Sequence, residues 1–345
     1  MGYVEYPAAT SARFFGRTYR QGERVCFNWS GTGFSFSFTG TEAAARLSGG
    51  DRIPRPEERA YIGVFVDGCP ICSARFALDE PERVYTLVQG LPHGVHTVRV
   101  VKQTEIYYGT ATVSAILADG PVEPDAAREK RIEFLGDSIT CGYGNLCSRE
   151  SSEFLTGEEN FSLTYAALTC DRLHADTYCV AASGNGIFHD YGCNTVNLIP
   201  QLYPCTDRIH QGEEHWDFEN DDIAAVVIKL GQNDGQYCSG ADLPEAQRTA
   251  AVLGARRQAF QAAAVEFLAA VRTVRQSCPI VYLVEEDMLL KDEILAAIDT
   301  VGGITPLLIQ PKRPFEGVGA NGHWSTATHA RVSLLLSHQL TECGL

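Results

Sequence analysis

Four short blocks in this sequence carry residue types that acyl transfer uses. Gly136-Asp137-Ser138-Ile139-Thr140 follows the apolar run IEFLG. A serine at a sharp strand exit exposes its hydroxyl at the sheet edge, and the flanking glycine lets backbone amides approach a reacting carbonyl. Ser183-Gly184-Asn185-Gly186 follows TYCVAAS, where a glycine amide can donate to a developing oxyanion. Gly231-Gln232-Asn233-Asp234 follows AAVVIKLG and offers the Asn233 side-chain amide as another donor. Asn321-Gly322-His323-Trp324-Ser325 precedes a helical stretch and places a histidine where it can act as a base. Each block alone is an ordinary loop; their order along the chain carries more than any member. Asp137 and Asp234 have the residue type of a glycosidase carboxylate pair, but each is embedded in one of these blocks, where bracing a loop by accepting backbone hydrogen bonds is the simpler role. His329, six residues beyond His323 on the following helix, reads as structural.

These blocks need a scaffold that ends several strands at one edge. From Arg131 the sequence alternates short apolar strands with helical stretches: IEFLG, TYCVAAS, AAVVIKLG, PIVYLV and PLLIQ. Their near-continuous apolar character suits strands covered on both faces by helices. Between the third and fourth, Phe260, Ala264, Phe267, Val271 and Val274 recur at helical spacing. The half from 131 to 345 is therefore expected to be an α/β domain with a mainly parallel five-stranded sheet, its functional residues beyond the carboxyl ends of the strands. Residues 1–118 have a different period. Phe34, Phe36 and Phe38 alternate with Ser35, Ser37 and Thr39, VHTVRVVK repeats the alternation, and Asp67-Gly68 after YIGVFV signals a hairpin. That half reads as an antiparallel β-sandwich. Residues 119–130, DGPVEPDAAREK, are charged, carry two prolines and read as a linker.

Composition narrows the partners. A chain of 345 residues is long enough for two domains, and 45% apolar with 21% charged residues is ordinary for a globular protein. The formal charge of −15 opposes nucleic acid and anionic lipid, so a neutral substrate fits better. No apolar run approaches a membrane span, and the start MGYVEYPAATSARFFGR lacks a signal-peptide core, which reads as cytoplasmic. The twelve cysteines are scattered and read as buried free thiols. Cys69 and Cys72 have redox or zinc spacing, but no second CxxC or HxxxH completes a metal site. The oligomeric state is left open.

The ordered quartet resembles the GDSL-like or SGNH hydrolases over residues 131–345. The resemblance implies a three-layer hydrolase domain, Ser138 as nucleophile, His323 as general base, and an oxyanion hole of the Ser138 amide, Gly184 and Asn233. A narrower resemblance spans nearly the full chain. The N-terminal sandwich, ASGNGIFHDYG and the run NLIPQLYPCTDRIHQGEEHWDF are similar to carbohydrate esterase family 2, whose jelly-roll-like sandwich precedes the hydrolase domain. Membership implies removal of O-acetyl groups from xylan, mannan or glucan-type polysaccharides or oligosaccharides through an acetyl-enzyme, with no cofactor and no metal. Most SGNH hydrolases carry an aspartate three residues before the histidine; here that position is Ala320. The narrower family is similar in often working as a Ser-His dyad, which predicts a backbone carbonyl in residues 314–321 as the partner of the imidazole.

Trp324 beside the base, and Trp216 and Tyr203 in the family-specific stretch, are candidate apolar faces for a sugar ring. The sandwich is expected to buttress the active site. Competing functions are a lipase, lysophospholipase or thioesterase on the same fold, which would need a long apolar acyl pocket, and a non-catalytic carbohydrate-binding protein, which would not need all four blocks.

Overall fold

The structure, a computed structural model, describes residues 2–50, 55–147, 154–207, 215–311 and 316–345. Among the described residues, twelve strands build the N-terminal half: β1 (Val4–Pro7), β2 (Arg13–Phe15), β3 (Thr18–Gln21), β4 (Arg24–Phe27), β5 (Gly33–Gly40), β6 (Ala43–Ser48), β7 (Tyr61–Val66), β8 (Ala74–Ala77), β9 (Arg83–Val88), β10 (Gly94–Lys102), β11 (Ala111–Ala118) and β12 (Val122–Pro124). They form two antiparallel sheets, β3-β4-β11-β6-β9 with β1 on β11, and β12-β5-β10-β7-β8 with β2 on β5. Phe34, Phe36 and Phe38 point between the sheets and are buried, each worth about 1.5–3 kcal/mol of transfer free energy. Asp67 and Gly68 both take positive φ at the turn leaving β7 toward β8. Within the stretch read as a linker, Val122–Pro124 pairs with β5 and extends the sandwich.

The expected solvent face of β5 is partly covered. Ser35 is buried and lies opposite Arg13 and Arg99. Both arginines reach Asp176 of the second domain, at 2.6 and 2.9 Å. The alternation identified the strand correctly and could not show that a neighbouring domain lies on its second face.

The second domain is a parallel sheet, β13 (Lys130–Gly136), β14 (Ala175–Ala181), β15 (Ala225–Lys229), β16 (Ile280–Glu285) and β17 (Ile304–Ile309), in the order β14-β13-β15-β16-β17. The helices in chain order are α1 (Ala8–Ser11) in the sandwich, then α2 (Ser138–Cys141), α3 (Tyr165–Arg172), α4 (Ile199–Leu202), α5 (Asp234–Cys238), α6 (Ala250–Val274), α7 (Lys291–Val301) and α8 (Thr326–Glu342). α6 and α7 cover one face; α3 and α8 cover the other. Every residue of β13 from Ile132 to Gly136 is buried, as are all of β14, β15 and β16, which is why these strands read as unbroken apolar runs. On α6 the stripe from Phe260 to Val271 is buried, but Val274 in the last turn is exposed, so the helical period extends one step beyond the packed face.

From β13 the chain moves to β14 on one side and then returns to β15 on the other. That reversal opens a crevice at the carboxyl ends of the three strands, the place where sheets of this kind bind ligands. The domains also share a core: Trp29 and Ile106 of the sandwich pack in the same apolar cluster as β15 and α6, and the Trp29 indole N–H donates to the Thr206 carbonyl at 2.8 Å.

Candidate active site

Ser138 leaves β13 as the first residue of α2. Asp137 caps that helix, its Oδ1 accepting the Ile139 amide at 3.0 Å, as a short polar side chain at a helix start should. The turn aims the Ser138 hydroxyl at His323, whose Nε2 lies 2.8 Å from Oγ. His323 comes from the loop before α8, a span of chain that ends in the Ser325 cap. Its Nδ1 faces the Ala320 carbonyl at 2.9 Å. A carbonyl only accepts, so Nδ1 carries the proton and Nε2 is free to take one from serine.

Ala320 explains why no carboxylate fills this role. It is fully buried, and its amide donates to the Gly144 carbonyl at 3.1 Å. A Cβ on Gly144 would stand 2.3 Å from the Ala320 methyl, so the two loops touch there and Gly144 has no room for a side chain. Glu316, the nearby acid, is committed elsewhere: its carboxylate holds Arg331 at 2.6 Å and Thr328 at 3.0 Å.

Burial lowers the His323 imidazole below its ordinary value, opposed by the Ala320 carbonyl and by Asp137. The ring is therefore neutral, the form a base requires, at neutral pH. Behind it sits a buried ion trio: Lys229 Nζ is 2.9 Å from Glu285 Oε1 and 3.6 Å from Asp137 Oδ2. Burial opposes the Lys229 charge, but the two carboxylates outweigh it and hold the ammonium above its ordinary value. His329 accepts the Tyr165 amide at 3.1 Å deep in the core, where burial pushes it down to about 3, so it is structural.

Beyond β14, Gly184 takes φ +78°, a conformation that favours glycine, in the segment between Ser183 and Asn185. Asn233, at the start of α5, donates from Nδ2 to the Asn185 carbonyl at 2.9 Å and so ties the second block to the third. Asp234 accepts the Ile187, Phe188 and His189 amides at 3.0, 2.7 and 2.9 Å, a loop brace and not one of a carboxylate pair. The structure thus brings Ser138, His323, Gly184 and Asn233 to one sheet edge. Asn233→Ala is expected to lower kcat about 10²- to 10³-fold with KM nearly unchanged, the usual signature of a lost oxyanion donor. Steady-state kinetics on 4-nitrophenyl acetate check it; a raised KM at constant kcat would make Asn233 a ground-state contact.

The three aromatic residues singled out as sugar platforms do not form one. Trp324 is 5% exposed and packs in the core against Tyr165 and His329. Tyr203 is buried, its hydroxyl donating to Glu133 at 2.9 Å, and Trp216 gives its indole N–H to Asp221. Both rings lie against the Arg17 guanidinium, so a face of each is turned to that cation. In the family-specific run, residues 208–214 lie outside the described residues. Different aromatics border the site. Tyr143 lies 4.5 Å from the His323 ring and 4.1 Å from Phe154, and Tyr107 and the largely exposed Tyr191 flank the Gly184 segment. Tyr143 belongs to the stretch just after the Ser138 block, which is the one signal that could have drawn attention to it. Among the described residues no helix is long and apolar enough to cross a membrane and no cluster has the makeup of a metal site. A cavity of about 470 Å³ between the domains, lined by Arg13, Arg99 and Arg128, lies toward the amino end of β14, away from Ser138.

Comparison with known proteins agrees with this layout. Residues 14–122 match the family model described as carbohydrate esterase 2 N-terminal. The chain is 33% identical over 215 residues to the cellulase/esterase CelE of Acetivibrio thermocellus, covering 60% of this chain and 24% of that protein. It is 30% identical over 217 residues to an acetylxylan esterase / glucomannan deacetylase of Cellvibrio japonicus, covering 60% of this chain and 55% of that one. The alignments thus span about a quarter and about half of these relatives' own lengths. A family two carbohydrate esterase from Clostridium thermocellum in complex with cellohexaose superposes with a TM-score of 0.79 at 24% identity, covering 96% of this chain and 98% of that one. That likeness establishes the fold.

Proposed function

We propose that this chain, whose residues 14–122 match the carbohydrate esterase 2 N-terminal model and whose two-domain fold is shared with a family two carbohydrate esterase structure, is a serine esterase of that family removing O-acetyl groups from plant polysaccharides or oligosaccharides. The observation that carries the mechanism is the Ser138 Oγ to His323 Nε2 contact of 2.8 Å with Nδ1 held by a carbonyl. In this reading His323 takes the hydroxyl proton as Oγ attacks the acetyl carbonyl. The Ser138 and Gly184 amides and the Asn233 side chain hold the tetrahedral oxyanion. His323 then gives the proton to the sugar oxygen as its bond to the acetyl carbon breaks, and water activated by the same ring releases acetate from the acetyl-enzyme. The chemistry draws on no cofactor and no metal.

Xylan, glucomannan and cellulose-type chains enter from the relatives: one is named for acetylxylan and glucomannan, and a related structure holds cellohexaose. Tyr107 and Tyr191, exposed beside the oxyanion segment, are the faces on which a pyranose ring would rest. Acyl-chain length tests the class. Hydrolysis of 4-nitrophenyl acetate is expected to exceed that of the octanoate by at least about 10-fold in kcat/KM, since each methylene a pocket accepts is worth roughly 1–3 kcal/mol and a small site rejects seven carbons of tail. Preference for the octanoate would point to a lipase or thioesterase. Following acetyl resonances by NMR on acetylated xylo-, manno- and gluco-oligosaccharides identifies the backbone used.

A further inference from the structure

The oxyanion segment is gripped from the other domain. After β10 the sandwich sends residues 103–110 across to the carboxyl end of β14 before returning into β11. Glu105 is fully buried there, and its Oε2 accepts the Ser183 amide at 2.7 Å. Two residues on, the Tyr107 hydroxyl donates to Asn185 Oδ1 at 3.0 Å. Ser183, Gly184 and Asn185 are consecutive, so these two bonds bracket Gly184. We propose that Glu105 and Tyr107 are positioning residues of the esterase, through which the β-sandwich sets the Gly184 amide for the oxyanion. This inference rests on the Ser138 esterase reading.

A glycine at positive φ has wide conformational freedom, so the direction of its amide must be set by neighbours. An oxyanion donor works only if it is already aimed when charge develops, and a displacement of about 1 Å can cost roughly 10²-fold. The grip itself is held firmly. The Glu105 amide donates to Glu159 Oε1 at 2.6 Å, and the buried Lys102 ammonium donates to the Thr104 and Glu105 carbonyls at 2.7 and 2.8 Å. A full negative charge behind the segment would oppose the oxyanion. Burial pushes the Glu105 carboxyl up, opposed by the Ser183 bond and by Lys102.

The test compares three variants on the full chain. Glu105→Leu removes the acceptor, Glu105→Gln keeps it without charge, and Tyr107→Phe removes only the hydroxyl. Glu105→Leu is expected to lower kcat on 4-nitrophenyl acetate about 10-fold, less than loss of a donor outright, with KM within about twofold. Modification of Ser138 by a phosphonate ester, which places an oxygen in the same hole, should slow in parallel. Glu105→Gln should stay within about twofold of wild type, and Tyr107→Phe should fall about threefold. Wild-type turnover in Glu105→Leu, or an equal loss in Glu105→Gln, overturns the role given to the Glu105 acceptor. If Glu105→Leu does not fold, Tyr107→Phe decides, because its change lies at an exposed position; unaltered kcat and phosphonylation there overturn the inference. A wild-type protein that neither hydrolyses acetyl esters nor forms an adduct at Ser138 defeats the esterase reading and this inference together. An active wild type with indifferent variants defeats this inference alone.

Discussion

Ser138→Ala is expected to lower acetate release by about 10⁴-fold or more, because the substitution removes the atom that carries the acyl group, and no nearby group can replace it. The fold should survive. The Ser138 side chain is hydrogen-bonded to His323, and losing one such bond costs about 0.5–1.5 kcal/mol, a few degrees in Tm at most. The turn is set instead by Asp137 and by the Cys141 and Gly142 amides, which donate back to Asp137 and Ser138 carbonyls. The measurement is kcat on 4-nitrophenyl acetate beside the unfolding curve. Retention of more than about a hundredth of wild-type turnover in a folded variant would rule out Ser138 as nucleophile.

His323→Ala is expected to match that loss, and the variant lacking both side chains should be no worse than either alone, since residues acting as one unit are not additive. The wild-type kcat/KM profile should show a single acid limb with an apparent pKa below 6.5, because burial keeps the imidazole neutral until the solution is acidic. Below that point the ring is already protonated and cannot accept from Ser138, so the rate falls tenfold per pH unit; above it the base is competent. An acid limb centred above pH 7 would contradict this. The nearby acid should matter far less: Glu316→Ala is expected to cost well under the roughly 10⁴ seen when a triad aspartate is neutralised, because its carboxylate serves Arg331 and Thr328. A Glu316 loss equal to that of His323→Ala would restore a triad.

Much of this was legible from local pattern. The five apolar runs of the second half lie in one sheet, and the four blocks stand at its edge because strand ends and helix starts leave signatures within a few residues. Ala320 was readable as a departure, and its carbonyl lies within the stretch expected to supply one. What failed was anything decided by distant neighbours. Trp324 sits beside the base in sequence, yet its ring turns inward onto Tyr165 and His329. Tyr203 and Trp216 were attractive as aromatic residues in a distinctive stretch, but Arg17, nearly two hundred residues earlier, takes a face of each. Glu105 carries no motif at all; its meaning depends on Ser183, which only folding brings near. Aromatic type is a weak guide because a ring serves core and surface alike, and only burial separates the two uses.

Glu133, in the middle of β13, receives Arg17 from the sandwich at 3.1 Å and Arg275 from the hydrolase half at 3.0 Å. Arg17 also caps the Tyr203 and Cys205 carbonyls, and Trp29 fills the core beneath β15. A gene carrying only the hydrolase half would encode a protein with those two carbonyls stripped of their guanidinium and a tryptophan-sized hole beside its sheet. One carrying only the sandwich would leave Arg17 without the carbonyls, the carboxylate and the aromatic rings that enclose it. Exchanging either half for an unrelated one would break the same buried lattice, so the two halves should behave as one cassette rather than as modules joined by a linker.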